Sequence, residues 1–232
     1  MLSITWTPPE EIAAIVDETR QQTERRFGVN LGLAWEQRDR LASALAASVR
    51  VVSFFWGDAS EIIAEAPQAD TVVFVTVGTA EEGRAPAAAG ADVVVAQGWE
   101  AGGHVWGTVS TLALVPRVVD AVAPVPVVAA GGIADGRGLA AVLALGAVGA
   151  WAGTHFLAAR EAAIHPDYRR RILAAGEADT FYGTLFDRGW SDAPHPRSAT
   201  RQSRRGSGGA DWSRDPDRER TTNPRRRPTV RR

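Results

Sequence analysis

Val93-Val94-Val95-Ala96-Gln97-Gly98-Trp99-Glu100-Ala101-Gly102-Gly103-His104 joins two kinds of sequence without a break. The first five residues form a strand-like run, apolar and mostly β-branched up to Gln97, with no polar alternation. That is the pattern of a strand covered on both faces, as in a parallel sheet flanked by helices. The next seven are glycine-rich and polar, so groups able to do chemistry cluster just past the strand's C-terminal end. A strand that ends in a functional loop is the building unit of an α/β enzyme, and the question is how often the unit recurs.

It recurs in both directions. Candidate strands fall at residues 2–5, 28–33, 51–55, 72–77, 93–97, 125–130 and 147–152, with Ala-rich amphipathic segments between them at 9–25, 38–47, 60–66, 80–89, 112–123 and 138–145. Special residues gather at the strand ends: Asn30, Trp56-Gly57, Thr76-Val77-Gly78, the stretch Gln97 to His104, Gly131-Gly132 and Gly153-Thr154. A (β/α)8 barrel pools the loops after all its strands on one face, whereas an open doubly wound sheet concentrates its ligand at one crevice. The pooled pattern predicts a TIM-type (β/α)8 barrel. The count of seven candidate strands, the first a stub at the N-terminus, predicts an incomplete one.

Composition narrows the chemistry. The chain has 232 residues, enough for one large domain, and contains neither cysteine nor lysine, all 26 basic residues being arginine. Disulfides, thiolate nucleophiles, cysteine-bound metals, lysine Schiff bases and a Walker-type phosphate loop are thereby excluded. No apolar run reaches the roughly 18 residues that cross a bilayer, and the N-terminus has no secretory-signal pattern, so a cytoplasmic location is expected. Charge divides the chain: residues 1–196 carry 14 Arg against 23 acids, and residues 197–232 carry 12 Arg against 4. The expected organisation is a barrel domain over 1–196, its last ten residues a loop, and a disordered Arg-rich tail over 197–232. The tail holds one aromatic, Trp212, too few for a stacking surface, so no nucleic-acid partner is expected.

Several side chains stand out as chemical candidates. Gly102 and Gly103 remove the Cβ atoms that would hold the backbone off a flat ligand, and His104 is suited to proton transfer near neutral pH. The competing reading is a Gly-Gly turn with an incidental histidine. Gln97 and Glu100 offer an amide and a carboxylate to orient a heterocycle or tune His104. Gly131-Gly132 and Gly153-Thr154, on consecutive strand ends late in the chain, point to a phosphate-bearing ligand. Asn30 either reaches into the barrel mouth or caps the next helix. Trp56 and Trp106 either line an aromatic pocket or fill core. His155, His165 and His195 have no partner at metal-ligand spacing, and the latter two precede proline as loop residues do, so no metal site is expected.

The segments Gln97-Gly98-Trp99-Glu100-Ala101-Gly102-Gly103-His104, Ala130-Gly131-Gly132-Ile133 and Gly153-Thr154 together resemble the nitronate monooxygenase (2-nitropropane dioxygenase) family in order and spacing, over roughly residues 2–196. The resemblance implies a (β/α)8 barrel with non-covalent FMN and His104 as the base beside the flavin. It implies that Gly131, Gly132, Gly153 and Thr154 cradle the FMN phosphate, and that Asn30, Thr76, Gln97, Ala101, Gly102 and Gly103 touch the flavin or its ribityl chain. The implied reaction is oxidation of an alkyl nitronate by O2 to a carbonyl compound and nitrite. A flavin- and NAD(P)H-dependent enoyl-thioester reductase is the nearest alternative, and a non-catalytic flavin-binding remnant is another. The family's opening strand has no counterpart here and the likeness ends near Pro196, so an N-terminally truncated chain with a frameshifted tail is the expectation.

Overall fold

The computed structural model describes residues 1–65, 70–105 and 107–180. Seven strands form one parallel sheet in sequential order: β1 (Leu2–Ser3), β2 (Val29–Gly32), β3 (Val51–Phe55), β4 (Val72–Val77), β5 (Val93–Gln97), β6 (Val127–Ala130) and β7 (Gly149–Trp151). The connecting helices are α1 (Pro9–Gln22), α2 (Arg38–Ala46), α3 (Ser60–Glu65), α4 (Ala80–Ala89), α5 (Thr111–Val122) and α6 (Gly136–Ala144), and α7 (Pro166–Ala174) follows a 3₁₀ turn at Thr154–Ala158. Sequential parallel strands joined by helices are the barrel order, and the sheet curls as a barrel wall does. Among the described residues β1 and β7 are its two edges. The expected loop over 187–196, the boundary at 196, the tail, Trp106 and His195 lie outside the described residues.

Pairing register sorts the strand residues into two faces. Asn30 pairs with Ser53 and Ser53 with Phe74, while Thr76 pairs with Val95, and Gln97 with Ala130, which pairs with Trp151. Residues two apart on a strand share a face. Asn30, Ser53, Phe74, Thr76, Gln97, Ala130 and Trp151 therefore project from one side of the sheet. That side is concave, because Phe74 on β4 and Trp151 on β7 meet edge to face at 5.9 Å between ring centroids.

The alternate residues, among them Leu31, Val52, Phe54, Val75, Val94 and Ala129, are fully buried in one hydrophobic cluster with Ile12, Val16, Leu114, Val115 and Val118 of the helices. Each of the larger side chains, Val, Leu, Ile or Phe, contributes about 1.5–3 kcal/mol by leaving water. Both faces of these strands are covered, and the concave one turns polar only at a few positions such as Asn30, Ser53, Thr76 and Gln97, which is why the sequence shows no regular alternation.

Element ends differ from expectation where local chemistry intervenes. β6 begins at Val127, two residues later than the apolar run suggests, because Pro126 lacks an N–H for the ladder and serves only as acceptor, from Val94 N–H at 3.0 Å. α6 begins at Gly136 because the Asp135 carboxylate accepts from the N–H groups of Arg137 and Gly138. His165 is a correction: it is the N-cap of α7, its ring nitrogen accepting from Asp167 N–H, with Pro166 at the favoured first helical position.

Candidate active site

The loop after β5 is closed on itself and then tied to its neighbours. Gly98 N–H donates to Ala130 carbonyl at 2.8 Å, carrying the β5–β6 pairing past the strand, and Trp99 N–H donates to Val109 carbonyl at 2.9 Å. The intervening residues thus make an excursion whose two ends meet. The Glu100 carboxylate accepts from Thr111 N–H at 2.9 Å, with Thr111 Oγ also 2.9 Å away, and the same Oγ lies 3.0 Å from Gly131 carbonyl. The Glu100 carboxylate thus holds the first turn of α5, where a carboxylate suits the helix dipole. Thr111 is the residue that sequence reasoning missed. Its hydroxyl joins the β5 loop, α5 and the β6 loop, and nothing in a lone threonine at a helix start announces that.

Glycines allow the loops after β5, β6 and β7 to interlock. A Cβ on Gly131, whose φ is +111°, would lie 3.0 Å from Gly98 carbonyl and 3.1 Å from Ala101 nitrogen. A Cβ on Gly102 would run into Thr154 Oγ, so the Gly-Gly-His backbone rests against the end of β7. Beyond these contacts the surface opens. Added Cβ atoms at Gly103 and Gly153 would meet nothing within 4 Å, and Gly103, Gly132, Gly153 and Thr154 are exposed. Thr154 opens a 3₁₀ turn. The N–H groups of Arg137 and Gly138 are taken by Asp135, whose carboxyl is held below its usual range by the Arg137 side chain and Gly138 N–H. An anion at this loop would therefore be met by the turn at residues 131–134 and by the Gly153–Thr154 backbone, not by the end of α6.

His104 is half-buried and fixed from two sides. Its imidazole stands perpendicular to the Trp56 ring, at 5.8 Å between centroids and 89° between planes, and its carbonyl accepts from Gln97 Nε2 at 3.4 Å. Trp56 is buried and takes the left-handed conformation with φ 64°, uncommon for a bulky residue and often found where function demands it. The loop reaches this far because it crosses the end of β4, where a Cβ on Gly107 would lie 2.6 Å from Gly78.

The structure thus gathers Gln97, Ala101, Gly102, Gly103, His104, Gly131, Gly132, Gly153 and Thr154 at the C-terminal ends of β5–β7. Asn30 and Thr76, both half-buried, share the concave face on β2 and β4. Asn30 is not a helix cap, since it lies within β2 and Gln37 precedes α2. The residues fit a flavin nucleotide. A cradle of bare backbone at Gly132 and Gly153 is open to a phosphate, and a concave polar strip leads from it past Gln97 toward Asn30.

The family model for nitronate monooxygenase matches residues 4–191. The chain belongs to the nitronate monooxygenase family. It is 41% identical over 181 residues to a Mycobacterium tuberculosis enzyme, (3aS,4S,5R,7aS)-5-hydroxy-7a-methyl-1-oxo-octahydro-1H-indene-4-carboxyl-CoA dehydrogenase, covering 77% of this chain and 51% of that protein. Among solved structures, FabK from Thermotoga maritima superposes with a TM-score of 0.77 at 35% identity, over 85% of this chain and 61% of FabK. Nitroalkane oxidase from Streptomyces ansochromogenes gives 0.73 at 32% identity, over 87% and 68%. The family is one of flavin oxidoreductases with the barrel fold. The chain spans about half the length of the curated relatives it matches. No helix among the described residues is long and apolar enough to cross a membrane.

Proposed function

We propose that this chain carries the catalytic face of an FMN-dependent enzyme that oxidises alkyl nitronates with O2, yielding a carbonyl compound and nitrite. The observation that carries the reading is the placement of His104, oriented by Trp56 and Gln97 on a loop whose glycines leave its outer side bare. Gly131, Gly132, Gly153 and Thr154 would hold the FMN phosphate. Asn30, Thr76, Gln97, Ala101, Gly102 and Gly103 would border its ring system and ribityl chain. Bound there, the flavin supplies the electron transfer between substrate and O2. His104 binds the anionic nitronate when protonated. When a neutral nitroalkane arrives, its neutral imidazole removes the proton on the carbon next to nitrogen, contributing about 10²–10⁴-fold to that step. The perpendicular Trp56 ring braces the imidazole on one side and excludes water there.

The test is anaerobic and then aerobic. FMN-loaded protein mixed with propyl-1-nitronate should lose flavin absorbance without O2 and release nitrite with it. A second reading has its own support in the 41% identity to a CoA-thioester dehydrogenase. Under that reading the same site serves a flavin- and NAD(P)H-dependent thioester oxidoreductase, and NAD(P)H rather than the nitronate bleaches the flavin.

A further inference from the structure

The loops after β1, β2 and β3 carry aromatic rings on the side of His104 away from the glycine loops. Trp6 follows β1 and meets Trp35, which follows β2, edge to face at 5.3 Å between centroids. Trp35 and Phe55 both pack against Trp56, which abuts His104. The rings thus run continuously from Trp6, which is 58% exposed, to the imidazole. The backbone beneath them is held firmly. Gly32 N–H donates to Thr5 Oγ at 2.9 Å, and the buried Gln37 amide donates to Gly32 carbonyl at 2.9 Å and to Thr5 carbonyl at 3.5 Å. Arg40 donates to Thr7 carbonyl at 2.8 Å, so both neighbours of Trp6 are tethered.

Two tryptophans at the rim of a mouth, partly open to water and held by buried hydrogen bonds, form a preorganised apolar surface. It lies one ring from the group that handles the reacting end of a substrate. Building on the proposed role of His104, we propose that Trp6 and Trp35 form a substrate subsite that selects molecules bearing an aromatic or fused-ring carbon body beside the reacting carbon. Small alkyl substrates reach His104 but leave this surface uncovered.

The probes are two unreactive carboxylates, phenylacetate and propionate, titrated into FMN-loaded protein and followed by the flavin difference spectrum. Two nitronates, of phenylnitromethane and of 1-nitropropane, report turnover. Phenylacetate should bind about tenfold more tightly than propionate, in line with one aromatic contact plus its buried area. Trp6→Ala and Trp35→Leu should each narrow that gap, and the kcat/KM preference for the aryl nitronate should narrow with it. Trp6 is largely exposed, so its variant tests the subsite without disturbing the core. Equal affinity for the two carboxylates, or variants that weaken both alike, would overturn the assignment. Selective phenylacetate binding that the variants erode, without nitrite from either nitronate, would uphold the subsite while removing the nitronate reading.

Discussion

Gly131 and Gly153 look alike in sequence, each following an apolar strand, yet replacing them should do opposite things. Gly153 has φ −116° and ψ −65°, a conformation open to ordinary residues, and a Cβ there would meet nothing within 4 Å. Gly153→Leu should therefore leave the apoprotein's stability within about 0.5 kcal/mol of the parent, as for a surface change away from special features. The new side chain would fill the space proposed for the phosphate. Losing one charge-assisted hydrogen bond from backbone to phosphate costs about 1.5–3 kcal/mol, so FMN should bind about 10- to 150-fold more weakly. Gly131 has φ +111°, and its Cβ would press on Thr111 Oγ at 2.9 Å as well as on the Gly98 and Ala101 backbone. Gly131→Ala should cost about 1–2 kcal/mol in backbone strain and about 1–3 kcal/mol in overpacking before any ligand is added. Urea unfolding of both apoproteins, run beside fluorescence titration with FMN, separates the two effects. Unchanged FMN affinity in Gly153→Leu would refute the phosphate placement, and a destabilised Gly153→Leu apoprotein would refute the geometry.

Three further outcomes follow from single contacts. His104→Ala should retain FMN yet lose about 10²–10⁴-fold on neutral nitroalkanes and less on preformed nitronates, measured by nitrite release; equal losses would mean that the imidazole positions rather than deprotonates. Thr111→Val should unlink Glu100 from Gly131 and cost about 1 kcal/mol of stability, with a larger amide-exchange increase in the 98–109 loop than elsewhere, and uniform exchange would show that the hydroxyl is not the joint. The Asp58 carboxyl is held below its ordinary value of 3.8 chiefly by the Ser60 hydroxyl and then by Ser60 N–H. A depressed folded-state value stabilises above the unfolded value and is lost as pH falls through the folded one, so Asp58→Asn should be less stable near neutrality and converge with the parent in acid. A pH-independent difference in urea midpoint would show that the contact is not charge-linked.

How much of this was legible in the sequence depends on whether a residue's partner is near it in the chain. The strands announced themselves because helices cover the outer face and the barrel interior the inner one, which removes polar alternation and leaves runs such as Val93–Gln97 unmistakable. His104 and the glycine pairs stand out for a similar reason, since adjacent glycines bare a stretch of backbone, and adjacency is visible. The face each residue takes was not visible. Asn30 and Ser53 become neighbours only through the β2–β3 register, which no local pattern encodes. α7 escaped notice because His165, a weak capping residue, carries the stop-and-start signal normally given by Ser, Thr or Asp. Glu100 shows the limit most clearly. Four residues from His104 in sequence, it is offered there as a group to orient a heterocycle or tune the histidine, and the chain order says nothing of its bond to Thr111, eleven residues away, and through it Gly131. The residues that shape this site from behind, Thr111 and Trp56, earn their places through contacts across loops after different strands. In a barrel, where every strand end meets the same mouth, such contacts fix the geometry while leaving the least trace in the order of residues.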